Sequence, residues 1–437
     1  MSILSQFKQS QNTDFPNVRP SLDLRFALAK KLDPRITFTR GSTGTYFGSD
    51  GIMRTAGVNE PRFDHDPITG QSLGLMIEES RSNLVAYSED FSNVAWFTSQ
   101  SSIVTTSIVA PNGSTAYKLV ENTVSGVGHF ITQGSITKLS NAVLTLTIFA
   151  KAAERQYFGL VINSSSTGYG SRYGAEFNLG NGTASEHDSA QGTYSSGSYS
   201  ITPYPNGWYR CRITCTTSTD AQSQVRIFTF RDANQWTSAA SYAGNGTSGL
   251  YIWGAQLEAG AFPTSYIPTI ASTVTRSADL AQMTGTNFSS WYNLSEGTLY
   301  ANAKSNSNTT QITGIAAINN SSSPTANRVD LRYYQGGNSY TFFNGVGGGG
   351  GSLPRTSGFS LTNPKFVVSY ASQNVNFCVN SSLISSRASA FVPSPLVNTL
   401  RIGTFDSGTS VYLNGTISRL TYYPIQLTNQ QLINLTS

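Results

Sequence analysis

Short runs of β-forming residues, set between clusters of Gly, Ser and Asn, leave this chain little room for anything but antiparallel sheets. From about 84 to 272 the runs "AVLTLTIFAKA", "YFGLVIN", "AEFNLG", "GWYRCRITCTTS", "VRIFTF" and "GLYIWGAQLE" are too short for helices and are bounded by turn residues. Their spacing predicts an antiparallel sandwich. From about 295 to 426 a second set predicts another: "EGTLYANAK", "RVDLRYYQ", "SYTFFNG", "KFVVSYA", "VNFCVN", "NTLRIGTF" and "LNGTISRLTYYP". "GVGGGGGS" at 345–352 reads as a hairpin loop. With 437 residues each sandwich can bury its own core, and only 12% of residues are charged, as suits an all-β chain with long polar loops.

Residues 1–20 are polar and read as an attachment arm that orders against a partner. "LDLRFALAKKL", 22–32, predicts a helix ending before Asp33-Pro34. "RITFTR", "GSDG", "RFDHD" and "DPITG" then alternate and turn as a β-meander. The expected order is therefore an arm (1–20), a β-meander module (21–84), a jelly roll (85–280) and a second antiparallel sandwich (281–437), with few short helices. Thr428 and Gln431 form a capping box, with Leu427 and Leu432 as its staple, so one helix closes the chain.

"RFDHDPITGQSLGLMIEESRSNL", 62–84, crowds charge into a chain poor in it. Asp66 is explained by a type I turn, Asp64 lies on the same strand face, and Glu79 can pair with Arg81 two residues on. Asp64, His65 and Asp66 alternate across a strand and so do not converge on a metal. The expected state is a hairpin with solvated or paired charges.

Several function classes drop out. The net charge is +5, and residues 281–437, with 8 basic and 3 acidic groups, hold the whole excess. No Lys/Arg run supplies the stripe that nucleic acid requires. Cys211 and Cys215 sit about 13 Å apart on one strand, beyond disulfide reach, and together with Cys378 read as buried thiols. Tyr209, Cys211, Ile213 and Cys215 share the inward face of that strand, and Trp208, Arg210 and Arg212 the other. No apolar run of about eighteen residues occurs, so neither membrane insertion nor a standard secretion signal is expected, and the Asn-x-Ser/Thr triplets are expected to carry no sugar. Neither sandwich has a dense Asp/Asn loop of the calcium type, and no cofactor is called for.

Sugar cleavage needs two carboxylates across a cleft. The last sandwich offers Glu296, Asp330 and Asp406, and the middle one Glu176, Glu186, Asp188, Asp220 and Asp232 scattered over loops, with "SEHDS" at 185–189 a solvated turn. His65, His129 and His187 have no nucleophile elbow to serve. A non-enzymatic protein is expected.

"PSLDLRFALAKKLDPRITFTRGSTGTYFGSDG" through "NEPRFDHDPITGQSLGLMIEESRSNLVAYSEDFSNVAW", about 20–97, resembles an N-terminal module of virion structural proteins of tailed bacteriophages. "NGWYRCRIT", "GLYIWGAQLEAGAFPTSYIPT" and "TVTRSAD" are similar to the carbohydrate-binding-module-like jelly roll that follows it. "SEGTLYA" and "LNGTISRLTYYPIQLTNQQLINLTS" resemble a concanavalin A or laminin G type lectin sandwich. The resemblance implies a tail fibre or appendage protein of the virion, assembled in the host cytoplasm, that contacts other virion proteins through its N-terminal region and host-surface polysaccharide through its sandwiches. A capsid decoration or head-fibre protein of purely structural role is the alternative, and a polysaccharide depolymerase a further one. Homo-oligomers would form through sandwich contacts or the arm.

Sugar binding by jelly rolls uses an aromatic plate ringed by amides, hydroxyls and guanidinium groups. Trp253 reads as core, Trp96 as packed under the meander and Trp291 as an anchor between the sandwiches. Trp236, in the long polar loop with Arg231, Asp232, Asn234 and Tyr242, is the first candidate plate. Trp208, beside Arg210 and Arg212, is the second. Arg332 and Tyr334, near Tyr333, Asn338 and Tyr340, form a third group, of which alternation turns half inward.

Overall fold

The computed structural model describes residues 16–437 apart from 139, 166–169, 218, 220–221, 234–241, 308–311, 323–326, 335–337, 345–349, 357–363, 389–394 and 406–410. Of the expected attachment arm, residues 1–15 thus lie outside the described residues.

The chain makes two antiparallel β-sandwiches, one inserted into the other. The terminal sandwich draws its sheets from both ends of the chain. In one sheet Gly415–Tyr423 lies between Gly297–Ser305 and Ser72–Ile77, Phe63–His65 continues the edge, and Leu22–Leu24 pairs with Gly415–Tyr423. In the facing sheet Thr37–Thr39 pairs with Leu280–Thr284, which leads to Thr399–Ile402 and Ile312–Asn319. Four strands of the segment expected to be a separate module therefore complete sheets whose other members lie after residue 279.

The inserted sandwich spans Phe97–Ser99 to Gly249–Ala259, with two six-stranded sheets. Its entry strand Arg81–Asn83 and exit strand Val274–Arg276 pair with each other and form a neck between the sandwiches. Asn83 reinforces the neck: its amide donates to Ala255 O and Ile267 O, at 3.0 and 2.9 Å.

Local chemistry explains where the expected helix fails. Leu22 and Leu24 bury into the terminal core while Asp23, between them, accepts from Arg419 and Thr421, so "LDL" becomes a strand held by residues almost four hundred positions away. Only Phe26–Ala29 is helical, and Lys30 ends it in the left-handed region. "SEHDS" belongs to strand Thr183–Gln191, not to a turn, because this polar run sits at the edge of its sheet, where both faces can meet water. Gly350, Gly351 and Ser352 extend into strand Gly350–Thr356, while 345–349 lie outside the described residues.

Other expectations hold. Cys211, Cys215 and Cys378 are buried and outside any disulfide. Thr428 and Gln431 close a capping box on helix Asn429–Leu435, and Leu427 packs with Leu432. Trp253 is core. Trp96 instead packs on Phe91 inside the inserted sandwich, and Trp291 lies within the terminal core against Phe288 and Tyr422.

The charged window is only half as expected. Asp66 caps its turn, accepting from Ile68 N and Thr69 N, and Glu79 pairs with Arg81. Glu78, however, enters a buried network in which Arg62 donates to Glu78 (2.8 Å) and Asp279 (2.5 Å), Arg40 to Asp279 (3.1 Å), and Arg276 lies 3.5 Å from Glu78. All five side chains are at most 5% exposed. Burial alone would raise the Glu78 pKa, but Arg276 and Arg62 pull it down to about 2. Asp64 is buried too, not solvated. It accepts from Phe47 N at 2.7 Å, and desolvation outweighs that bond and nearby Arg62, raising its pKa to about 7.

Candidate functional site

A six-stranded sheet of the inserted sandwich has one face in the sandwich core and one outside it, and the two sheets use their outer faces differently. On the sheet containing Trp208–Thr216, Val143–Ala152 and Gly249–Ala259, the outer face carries Phe149, Trp208 and Trp253, with Tyr266 from the exit segment. Met53 and Phe47, from the hairpin Gly44–Phe47 and Met53–Ala56, close over them. Trp208 is 2% exposed and donates its Nε1–H to Val109 O at 3.0 Å. Arg210, next on that face, donates to Thr264 O at 2.9 Å. Trp208 is therefore corrected from sugar plate to packing residue: strand alternation placed it on the outer face, and the N-terminal hairpin covers that face.

The other sheet presents a different outer face. Along Gln222–Phe230, Val225 and Ile227 enter the core, which leaves Gln224, Arg226 and Phe228 on the opposite side. Register lines up three rows across the sheet. Thr132, Arg226, Val161 and Gly174 form one; Phe130, Phe228, Gly159 and Glu176 form the next; Gln224, Asn163 and Arg172 form the third. The hydrophobic cluster here, Phe130, Tyr157, Val161, Phe228 and Phe230, comes among the described residues from this sheet's own strands; Val161, Phe228 and Phe230 are buried, and Phe130 and Tyr157 half-buried. The Arg226 guanidinium lies 5.1 Å from the centre of the Phe130 ring, and its Nη2 donates to Gln224 Oε1, which also accepts from Asn163 Nδ2. Phe130 and Phe228 stand 4.8 Å apart. Gly159 and Gly174 put no side chain beside Phe228 and Val161, which lowers the floor between aromatic and polar groups.

At the end of strand Gln222–Phe230 this face meets the root of the long polar loop. Asn234 and Trp236 lie outside the described residues. Arg231 pairs with Asp232 at 2.7 Å, both exposed, and its guanidinium lies 5.7 Å from the Tyr242 ring. Tyr242 is 4% exposed, so it too is corrected: it anchors the loop instead of offering a plate. Its hydroxyl donates to Glu121 Oε2 at 2.6 Å, its ring packs on His129, and burial together with Glu121 pushes the hydroxyl pKa up. Burial works against the Glu121 carboxylate, yet Arg155 and Tyr242 hold it below the usual range.

In the third expected group Arg332 is one of those turned inward. Arg332 is buried, grips Asp330 with two bonds of 2.7 and 2.8 Å, and stacks 3.9 Å from the Phe405 ring centre. Tyr334 pairs through its backbone with Ile312 and Asn338. Arg226, Phe130, Gln224, Asn163 and Arg172 were not singled out from the sequence. The signal was present in "QSQVRIFTF", where polar and aromatic residues alternate with Val225 and Ile227.

No known protein family matches the sequence, and no curated protein matches it. Some solved structures are similar over part of the chain. The CBM40 domain of Ruminococcus gnavus IT-sialidase, bound to α2,3-sialyllactose, is 17% identical, with 35% of this chain and 87% of that one covered at a TM-score of 0.31. The NanB sialidase of Streptococcus pneumoniae is 12% identical over 36% of this chain and 26% of that one, TM-score 0.31. Domain 4 of AbnA, a GH43 extracellular arabinanase from Geobacillus stearothermophilus, in complex with arabinotriose, is 13% identical over 40% and 81%, TM-score 0.29.

Proposed function

We propose that the chain is a non-enzymatic glycan-binding protein of a tailed-bacteriophage particle, of the tail fibre or appendage type. The observation that carries the glycan reading is the outer face around Arg226. A half-buried guanidinium over the half-buried Phe130 ring, with the Gln224 amide beside it, offers what a sugar ring takes from a protein: an apolar plate with a donor and an acceptor at its rim. Arg231 and Asp232 continue that face at the root of the loop. A single such site binds weakly, and many copies on one particle would supply avidity.

The particle assignment is supported by the sequence resemblance over about 20–97. Because that segment completes the sheets of the terminal sandwich, the arm before residue 20 is the part left to dock on other virion proteins. A glycan array probed with the purified chain tests the binding reading, which predicts a discrete set of polysaccharide fragments bound. Glu176 lies on this face and Asp188 is registered against Gly174 one strand further out, so the same fragments should be assayed for new reducing ends. Their appearance would replace binding by cleavage.

A further inference from the structure

A second surface feature lies on the terminal sandwich, away from the glycan face. Lys30, Lys31, Tyr46, Gly48, Phe63 and His65 are among the residues that line an open cleft of about 480 Å³. That volume falls within the range of small-ligand sites. Its charge is uneven. Arg54 is paired with Asp50 at 2.7 Å, and Glu60 is turned to accept from Gly57 N at 2.6 Å. Lys30 and Lys31 enter no ion pair among the described residues, because the nearby Asp23 and Asp33 are taken by Arg25, Arg419 and Arg35.

His65 supplies the independent observation. It is 6% exposed, its Nδ1 donates to Phe47 O at 3.0 Å, and its Nε2, on the far side of the ring, is buried with no partner. A buried polar atom left without a bond is costly unless something satisfies it. Gly48 also fits a formed site, because a Cβ there would run into the Arg54 guanidinium and force it out of the cleft. Tyr46, Phe63 and Pro61 give the cleft an apolar side.

We propose that this cleft is an oxyanion site that takes the acid group, carboxylate or phosphate, of a charged sugar. Lys30 and Lys31 supply the positive field for the acid group, His65 Nε2, whose ring carries its proton on Nδ1, accepts from a hydroxyl of the same sugar, and the Tyr46 and Phe63 side gives the surface for the ring.

The test is calorimetric titration of the full chain with tri-galacturonic acid, with its methyl ester and with inorganic phosphate. Tri-galacturonate should bind and its neutral ester should not. Binding should weaken at least tenfold in Lys30→Ala/Lys31→Ala, whose exposed positions leave the fold intact. It should weaken as much in His65→Asn, which keeps a donor for the Phe47 carbonyl and removes Nε2. Phosphate binding with the same sensitivity supports the site and identifies phosphorylated sugar as the source. Binding of neither anion, or binding indifferent to both variants, overturns it. Binding that survives these variants but falls with Arg226→Ala belongs to the inserted sandwich and overturns the cleft assignment as well.

Discussion

The two outer faces of the inserted sandwich carry similar residues and come to different ends. Both hold aromatic rings beside an arginine, Trp208 and Phe149 with Arg210 on one, Phe130 and Phe228 with Arg226 on the other. On the first, the hairpin 44–56 closes over the rings, and Arg210 spends its donors on Thr264 and Thr147. On the second, the described members of the cluster all come from the sheet itself; Val161, Phe228 and Phe230 are buried, while Arg226, Gln224, Phe130 and Tyr157 stay half-buried. The aromatic content of a strand's outer side therefore does not separate packing surface from binding surface. On the first face what decides is the distant hairpin laid on top.

The covered face depends on the neck and its buried ions, so breaking those should produce the largest effect. Asp279→Ala leaves Arg62 and Arg40 buried without their shared partner and should cost about 3–5 kcal/mol in denaturant unfolding. A loss below about 1 kcal/mol would mean the network does not hold the hairpin in place. Trp208→Ala removes a buried ring and should cost about 3 kcal/mol. The folded fraction should bind glycan as before, since this face is packing.

The next effect is one of pH and separates two neighbouring carboxyls. The Asp64 pKa is raised to about 7 from 3.8, so its contribution to stability is complete below about pH 4. That contribution falls as pH rises toward 7, by up to about 1.4 kcal/mol per pH unit. Glu78, lowered to about 2 from 4.5, behaves in the opposite way: its contribution is present above pH 4.5 and is lost as pH falls toward 2. Unfolding curves of Asp64→Asn should lack the decline between pH 4 and 7 and keep the acid loss. An unchanged decline would show that Asp64 is not its source.

Legibility followed sequence distance. Turn and cap chemistry acts within a few residues, so Asp66, Thr428 with Gln431, and the buried side of Tyr209–Cys215 could be read directly. Trp253 was also readable, because apolar residues flank it on both strand faces. Trp208 was not, because its cover comes from Met53 and Phe47. The same holds for "LDL": local propensity favours a helix, and pairing with Leu420–Tyr422 overrides it. Tyr242 sits in a polar loop by sequence, yet Glu121, more than a hundred residues earlier, draws its hydroxyl inward. Arg226 was legible by alternation, but its neighbours Phe130 and Asn163 reach it only through strand register.

The smallest effect on stability should be the largest on function. Arg226→Ala removes a half-buried guanidinium and should change stability by about 0.5 kcal/mol or less. Its binding is the most direct test of the claim that the sheet's own outer face takes the sugar. Affinity for the best array fragment should be measured for wild type, Arg226→Ala and Trp208→Phe under one set of conditions. The account predicts at least a tenfold loss for Arg226→Ala at unchanged melting temperature, and a lowered melting temperature with unchanged affinity for Trp208→Phe. Wild-type affinity in Arg226→Ala would contradict it.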